Sequence, residues 1–286
     1  MVKEVITILT AALTWSSCST NANHLTKTSN TMNKKEQVVA LLKSIETGDT
    51  APIAFINADK YIQHNLGIKD GLAGFGEALV ALPKGSARVN TIRAFEDGDY
   101  VFTHTDYNFF GPKIGFDVFR FENGKIVEHW DNLTETPANP NPSGHTMIDG
   151  AIEMKDIQKT TENKTFVKQF VQDVLMGQAP ENLTKYFDGD NYIQHNPAIA
   201  DGLSGLGAAL TEMAKNNIAM TYTHLHKVLG EGNFVLTISE GTFGGKHVSF
   251  YDLFRVENGK IAEHWDVVEP ILSKEEWNNN NGKFGF

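Results

Sequence analysis

The spacing of apolar residues predicts helices first and strands afterwards. From Lys34 apolar residues recur every three or four positions until Gly48, as in an amphipathic helix with a glycine C-cap. A short helix over Pro52 to Asn57 and a third helix from Asp70, its N-cap, to about Leu82 should follow. Alternating or aromatic runs then predict four strands. These are Arg88 to Phe95, Tyr100 to Phe110, Ile114 to Phe121 and Ile126 to Leu133.

Good turn sequences separate these strands, and the whole pattern occurs twice. Asp97-Gly98-Asp99, Gly111-Pro112 and Asn123-Gly124 each favour a tight turn, so the strands should be antiparallel. The stretch Phe119–Asp131 returns nearly unchanged as Phe254–Asp266, and Tyr61–Asn65 returns as Tyr192–Asn196. We interpret this as tandem duplication of a whole small domain.

The second copy repeats the order of elements. It has an amphipathic helix from Phe166 to Gly177 and a helix from Asp201 to about Lys215. Its predicted strands are Ile218 to Leu229, Phe234 to Phe243, Val248 to Val256 and Ile261 to Val268. Helices followed by strands indicate an α+β fold, with three N-terminal helices packed on a curved antiparallel four-stranded sheet in each copy. The predicted boundaries are 1–33 for a signal and tether, 34–135 for domain 1, 136–159 for a linker, 160–270 for domain 2 and 271–286 for a tail.

Composition narrows the partners and the compartment. The 286 residues carry a formal net charge of −10, which argues against a nucleic-acid or anionic-membrane surface and leaves small-molecule or protein partners. Of these we expect a small hydrophobic or aromatic molecule. The apolar run after Lys3 and the following Ser16-Ser17-Cys18 resemble a bacterial lipoprotein signal, with Cys18 as the lipidated residue. We therefore expect an exported protein of the cell envelope whose membrane contact is this lipid anchor. Within the chain the copies should form a pseudo-dimer, and a further homodimer is left open.

Turn geometry predicts which side chains of the first copy share a face. If Asn123-Gly124 is a two-residue loop, Asp117 lies opposite Trp130 and both point inward, above a floor that includes Phe119. A two-residue loop before the preceding strand sets His104 opposite Asp117. A partly desolvated carboxylate beside an imidazole is a candidate acid/base pair.

In the second copy Asp252 and Trp265 match this pair, but Ile238 stands where His104 is expected, so its site should be less active. Glu240, matching Asp106, offers some polarity on that strand instead.

Other polar residues are candidate pocket contacts or structural anchors. Tyr61 and Tyr192 should line the pockets, and His64 and His195 either lie at the rims or anchor loops through bonds to the backbone. The same pairing places His129 and His264 on the outward face. No His spacing typical of a metal site falls inside either inward cluster, because the His-x-His at His224 stands alone. Neither a metal nor another cofactor is expected.

These motifs resemble the SnoaL-like polyketide cyclase group of the nuclear transport factor 2-like fold. The resemblance rests on Tyr61–Asn65, Asp70-Gly71, Glu96–Asp99, Asp117–Arg120 and Gly124–Asp131, and on their counterparts in the second copy. It implies two cone-shaped domains and an Asp, matched by Asp117, that acts as acid/base in an aldol condensation with a His that fits His104. One fold hosts many reactions, so the resemblance implies the fold and does not by itself imply one particular reaction.

Two functions follow as hypotheses. One is acid/base chemistry on a hydrophobic carbonyl compound by a cyclase, isomerase or lyase, with Asp117 and His104 catalytic, Asp252 a weaker counterpart, and the substrate-binding set Tyr61, His64, Asp106, Phe119, Trp130, Tyr192, His195, Glu240 and Trp265. The other is a non-catalytic exported binding protein with a pseudo-dimeric fold.

Overall fold

The longer helices overlap the stretches in which the apolar spacing predicts helices. The structure is a computed structural model that describes residues 32–83 and 85–286. Asn33 caps the first helix by accepting a hydrogen bond from the Glu36 N–H, and Gly48 ends it with a left-handed φ of 71°. The helices are α1 (Lys34–Thr47), α2 (Gly71–Ala81), α3 (Thr160–Phe170), α4 (Leu183–Tyr186) and α5 (Gly202–Lys215), with 3-10 turns at Ala51–Phe55, Ile157–Lys159, Pro180–Asn182 and Lys274–Glu276 and a π-helical turn at Val171–Leu175.

Each copy forms one mixed sheet. In the first copy the strands are β1 (Ile62–Gln63), β2 (Arg88–Asp97), β3 (Tyr100–Asn108), β4 (Pro112–Glu122) and β5 (Lys125–Glu135). In the second copy they are β6 (Ile193–Gln194), β7 (Met220–Glu231), β8 (Phe234–Phe243), β9 (Lys246–Glu257) and β10 (Lys260–Pro270). The orders β1-β5-β4-β3-β2 and β6-β10-β9-β8-β7 match strand for strand.

The predicted α+β class with two tandem cone domains is confirmed, with one addition to each sheet. Four long antiparallel strands were expected, and the two-residue strands β1 and β6 join them as parallel fifth strands. They come from the Tyr-Ile-Gln-His-Asn motifs. This pairing places each motif directly beside the last long strand of its own copy.

Each sheet has two apolar faces, and one of them is shared. The concave face of the first sheet packs on its own helices through a core that includes Leu41 and Phe121, and the second sheet does the same with Phe170 and Phe254. The opposite faces form one continuous core with contributions from both copies, among them Trp130 and Trp265. The two cones therefore pack sheet to sheet, so their interiors are on opposite sides of this shared core.

The segments after β5 and β10 each cross to the other copy. In the linker, Asn141 donates from its Nδ2 to the Gln194 and Ile199 carbonyls at 2.7 and 2.9 Å. In the tail, Asn279 donates in the same way to the Asn65 and Ile68 carbonyls at 2.8 and 2.9 Å. The last residue of the chain, Phe286, stacks on Trp130 at 4.4 Å. The tail, for which the sequence predicted no structure, thus fastens the first copy as the linker fastens the second.

The predicted lipoprotein signal at Cys18 lies outside the described residues and stays a prediction. In the part of the chain that the structure describes, no helix is long and apolar enough to span a membrane.

Candidate active site

A β-bulge decides which side chains point into each cone. Glu122 pairs with Lys125 and Phe121 with Ile126, as a two-residue loop requires, but the register then shifts by one so that Arg120 pairs with Glu128. A one-residue shift turns every later side chain to the other face. The prediction that Asp117 and Trp130 share the inward face is therefore wrong.

The bulge brings a different histidine to Asp117. Asp117 pairs with Asp131 and Phe119 with His129, so these four residues point into the cone together. Trp130 instead lies in the shared core. The second copy has the same shift between Ile261 and Glu263, and there Asp252 pairs with Asp266. The predictions of outward histidines at 129 and 264, and of an inward Trp265, are wrong for the same reason.

A longer turn displaces His104. Residues Phe109–Gly111 form a three-residue loop between Asn108 and Pro112, with φ values of 55° at Phe110 and 123° at Gly111. Because of the extra loop residue, Thr103 lies opposite Asp117 and His104 lies opposite Phe116.

His104 is buried at the face between the sheets, where its Nδ1 accepts a hydrogen bond from Arg93 at 3.1 Å. Burial and the Arg93 charge hold the pKa of His104 well below its ordinary value. It is therefore not the partner of Asp117.

The true partner in the first copy is His129. Its Nε2 lies 3.2 Å from Asp117 Oδ1, and its Nδ1 lies 3.1 Å from the side-chain oxygen of Gln63 on β1. Tyr107 donates its hydroxyl to Asp117 Oδ2 at 2.8 Å. Asn65 donates to Asp131 at 2.8 Å. The β1 motif that pairs beside β5 therefore positions both the imidazole and the second carboxylate.

The second copy contains the same arrangement. His264 Nε2 lies 3.1 Å from Asp252 Oδ1, His264 Nδ1 lies 3.0 Å from Gln194 Oε1, and Asn196 donates to both Asp266 oxygens. The hydroxyl of Tyr222 reaches Asp252 at 3.2 Å. The expectation that the second carboxylate lacks an imidazole is wrong, because the imidazole comes from β10 and not from the position of Ile238.

The hydrogen bonds around Gln194 imply that Asp252 and His264 share one proton. The oxygen of the Gln194 amide accepts the backbone N–H groups of His195 and Asn196, both at 2.9 Å, so the amide orientation is determined. His264 Nδ1 must therefore carry a hydrogen to donate to that oxygen. The 3.1 Å contact between Nε2 and Asp252 then needs one more proton, held by either residue. Asp117 and His129 satisfy the same argument through Gln63, whose oxygen accepts the Asn65 N–H at 2.9 Å.

Burial sets the electrostatics of these groups. Asp252 is 1% exposed and His264 8%. Burial disfavours the imidazolium, yet the hydrogen bond to Asp252 and the charges of Asp266 and Asp252 outweigh it, so the pKa of His264 is raised. Burial also raises the pKa of Asp266, and it raises the pKa of Asp117 against the opposing effect of His129. Asp117, His264 and Asp266 thus hold their protons more tightly than the free side chains would.

A cavity of about 490 Å³ leads to the polar cluster of the second copy. Asp252, His264 and Asp266 lie in its wall, and most of the remaining wall is aromatic or aliphatic. At its rim stand four apolar side chains that are each 38–45% exposed, namely Leu210, Ile218, Met220 and Phe243. None of the described residues that line this cavity is a lysine or an arginine. The site favours an apolar ligand with a polar group at the inner end.

The two interiors differ at two aromatic positions. In the first copy Tyr107 stacks on Phe109 at 4.5 Å and lies against Gly115. In the second copy Gly241 takes the position of Tyr107, and Phe250 takes that of Gly115. The hydroxyl donor to the aspartate then comes from Tyr222, on β7, which stacks on Phe250 at 4.0 Å. Both copies thus retain a tyrosine donor, but it comes from different strands.

Some of the other predicted substrate-binding residues lie inside the cones, and the rest lie on the opposite face of the sheets. Tyr61, Phe119 and Tyr192 lie inside the cones as predicted. Both motif histidines are on the shared-core side, where His64 stacks on Trp130 at 4.7 Å and His195 stacks on Trp265 at 4.5 Å.

Asp106 and Glu240 also point away from the cone, since they pair with Ile114 and Ser249 in alternation with the inward residues of their strands. The prediction that these two histidines and two carboxylates line the substrate pockets is therefore wrong. His64 and His195 bind loops and backbone, which was the structural alternative.

Among residues 32–83 and 85–286, three groups of side chains could hold a metal ion by their geometry. In each, the nitrogen and oxygen atoms lie within 4.8 Å of one another. Two are the cone clusters Asp117–His129–Asp131 and Asp252–His264–Asp266, and the third is His145–Asp149–His195. In the cone clusters a proton between aspartate and imidazole already satisfies the contacts.

Comparison with known proteins gives one match to a family model, over part of the chain. A family model described as a SnoaL-like domain matches residues 167–264. A comparison with curated proteins found no match.

Several solved structures are similar to parts of this chain. An NTF2-like protein of unknown function from Cytophaga hutchinsonii is 14% identical, with 37% of this chain and 94% of that chain covered at a TM-score of 0.33. An LEH-like epoxide hydrolase from M. tuberculosis is 21% identical, with 39% and 85% covered at a TM-score of 0.30. A SnoaL-like polyketide cyclase from Agrobacterium tumefaciens is 13% identical, with 37% and 91% covered at a TM-score of 0.30.

The region matched by the family model contains the Asp252–His264 pair and most of the cavity wall. The first copy repeats its strand order, its bulge and its Asp–His–Asp grouping. The SnoaL-like family model thus matches the second cone, and the first cone repeats the strand order and the polar cluster of the second.

Proposed function

We propose that the second copy is an acid/base enzyme acting on an uncharged, largely hydrophobic carbonyl compound. The observation that carries this proposal is the 3.1 Å contact between His264 Nε2 and Asp252 Oδ1, which needs one shared proton, at the inner end of an apolar cavity of about 490 Å³. A buried pair of this kind can release a proton at one atom and accept one at another without a net change in charge.

The geometry supports removal of a proton from the carbon next to a carbonyl group. When the shared proton is on His264, Asp252 is ionised and can accept a proton from the substrate carbon. His264 can then deliver its Nε2 proton to the carbonyl oxygen, and the substrate becomes an enol. Tyr222 donates to Asp252 and orients the carboxylate.

The charge of the cavity wall supports an uncharged substrate. The acidic groups Glu135, Glu212, Asp252 and Asp266 are part of the wall, and the described lining residues include no lysine or arginine. A carboxylate or phosphate on the substrate would be repelled and would find no cationic partner. Ketones and aldehydes with a bulky apolar body fit this environment.

The proposed site lies in the second copy, whereas the sequence predicted the more active site in the first copy. Asp117 and His104 were expected to be the catalytic pair of the first copy, with Asp252 weaker. Here Asp252 and His264 carry the reaction, and the equivalent pair in the first copy, Asp117 and His129, offers a matched control in the same chain.

The test is hydrogen–deuterium exchange at the carbon next to the carbonyl in a panel of hydrophobic ketones and aldehydes, followed by NMR in D₂O. We expect the full chain to catalyse exchange of at least one compound, and Asp252→Asn to reduce the rate by about 10²–10⁴-fold, the usual contribution of a positioned base. Asp117→Asn should retain the rate.

Loss of exchange in Asp117→Asn with retention in Asp252→Asn would assign the chemistry to the first copy and refute the proposed site. Thermal stabilisation by a compound in all three proteins without exchange would contradict the enzyme proposal and favour the binding protein.

A further inference from the structure

The linker brings a histidine and an aspartate against the buried histidine of the second copy. His145 Nδ1 lies 3.3 Å from Asp149 Oδ2, and His195 Nδ1 lies 2.8 Å from Asp149 Oδ1. The backbone carbonyl of Thr146 also lies 2.8 Å from His195 Nδ1. The imidazole centroids of the two histidines are 5.2 Å apart. One carboxylate is thus shared between two imidazoles.

The second nitrogen of each imidazole faces another carboxylate. His145 Nε2 lies 3.2 Å from Asp201, and His195 Nε2 lies 2.9 Å from Glu263. Glu263 is itself held by Arg255 at 2.6 Å, which fixes its position. A neutral imidazole has one N–H, and in both rings a carboxylate is placed to accept it from Nε2. In that tautomer both Nδ1 atoms present lone pairs, whereas in the other tautomer Asp149 accepts the N–H from Nδ1.

These lone pairs converge on atoms that also lack a hydrogen to donate. The two Nδ1 atoms, both oxygens of Asp149 and the Thr146 carbonyl are all acceptors in this state. Asp149 Oδ1 accepts the Thr146 N–H at 3.0 Å, and the remaining contacts between Asp149 and the two imidazoles need a cation among them, either an additional proton on an imidazole or a metal ion.

We propose that His145, Asp149 and His195 bind a divalent transition-metal ion of the zinc class. Two imidazole nitrogens and a carboxylate form a common donor set for Zn²⁺, with ligand bonds of about 2.0–2.2 Å. The three ligand atoms lie within 4.8 Å of one another, close enough to surround such an ion. Carboxylates at the outer nitrogens, here Asp201 and Glu263, are the partners that orient metal-bound histidines.

The first copy shows what this position looks like without the additional ligands. His64 faces Glu128 at 2.9 Å through Nε2, as His195 faces Glu263. Its Nδ1 faces the carbonyl of Gly282 at 2.8 Å. The neighbouring tail residue Lys283 cannot replace a carboxylate. The linker therefore supplies to the second copy a pair of ligands that the tail does not supply to the first.

The site is accessible from solvent and adjoins the cavity. The side chains of Asp149 and His145 are 44% and 30% exposed, whereas that of His195 is fully buried. Next along the chain from His195, Asn196 holds Asp266 in the cavity wall. A bound ion would therefore fix the linker to the loop that positions the proposed active site.

The experiment is isothermal titration of the chelator-treated full chain with Zn²⁺, together with visible spectroscopy of Co²⁺ as a substitute. We expect saturable binding and Co²⁺ absorption bands that Zn²⁺ abolishes. His145→Ala and Asp149→Asn should each weaken Zn²⁺ binding by at least about 100-fold, because even outer partners of metal ligands contribute about 10- to 100-fold.

Both substitutions affect partly exposed side chains, and circular dichroism checks that the variants fold. The control is His247→Ala, which removes a more exposed imidazole that contacts Glu240 at 2.7 Å. It should bind Zn²⁺ as the unchanged protein does.

Absence of Zn²⁺ binding by the unchanged protein would overturn the inference, and so would equal binding by His145→Ala and Asp149→Asn. The inference does not rest on the proposed function, because binding is measured without a substrate.

Discussion

The shared proton between Asp252 and His264 predicts a coupling energy that depends on pH. Removing either side chain leaves the other buried group without its charged partner, and a hydrogen bond to an ionised group contributes about 1.5–3 kcal/mol. Because Asp252 and His264 are 1% and 8% exposed, solvent screens this interaction little. At a pH low enough for His264 to be protonated, we expect a coupling energy of about 2 kcal/mol between the two side chains.

The sign follows from the direction of the pKa shift. The pKa of His264 is raised above 6.5 in the folded protein, since the attraction of Asp252 and Asp266 outweighs burial. A group with a raised pKa contributes stability that is fully present below the unfolded value and is lost as the pH rises through the folded value. Above that point His264 Nε2 is a bare lone pair facing a carboxylate. The coupling energy should therefore fall with rising pH.

The assay is a double-mutant cycle with Asp252→Leu, His264→Leu and the double variant, each unfolded in urea over roughly pH 5 to 9, the range that spans imidazole titration. Any new contact between the two leucines does not depend on pH, so the part of the coupling energy that changes with pH reports the native pair. A pH-dependent part below about 0.5 kcal/mol would refute the shared-proton argument, since a charged hydrogen bond contributes more. The corresponding cycle at Asp117 and His129 provides the matched comparison.

Two further predictions concern stability. Gly115→Ala should destabilise the fold by about 1–3 kcal/mol in urea unfolding, because a Cβ there would lie 2.4 Å from a tyrosine ring, whereas Gly76→Ala in α2 has open space and should be neutral or stabilising. Equal effects of the two would contradict the packing described. Phe286→Ala should lower stability by about 1–2 kcal/mol through loss of its stack on Trp130, and Phe110→Ala, at a side chain 69% exposed, should change little. An unchanged melting temperature in the first variant would show that the tail does not stabilise the first copy.

The sequence predicted the helices, the strands and the duplication because each depends on periodicity or on turn chemistry. Apolar spacing and caps defined α1, and Asn123-Gly124 set the first pairs of its hairpin correctly. Side-chain faces depend on register, and a single extra residue reverses them. The bulge before Glu128 and the third loop residue near Gly111 were two such residues. Because of these two residues, His129 contacts Asp117 in the structure, whereas the sequence predicted His104 in that place.

One signal for the bulge was available in the sequence. The uninterrupted register places Glu128 opposite Phe119, inside an apolar cone. A shift of one residue instead pairs Glu128 with Arg120, and the structure has this ion pair, at 2.6 Å. Opposite charges across strands are stabilising, and a buried unpaired carboxylate is not. The crossing of the linker, by contrast, arises from long-range packing that periodicity does not encode.

Fusion of two cones in one chain explains how one polar arrangement serves two different interiors. In a symmetric homodimer both cones have the same sequence, so a change at one aromatic position changes both sites. In this chain the Asp–His–Asp groups remain alike, while Tyr107 corresponds to Gly241 and Gly115 corresponds to Phe250. The acid/base groups therefore cannot distinguish the two sites, but the aromatic positions and the linker ligands can. A difference in ligand specificity between the two cones must come from other residues, such as those at these positions, since each cone retains its own aspartate, imidazole and tyrosine donor.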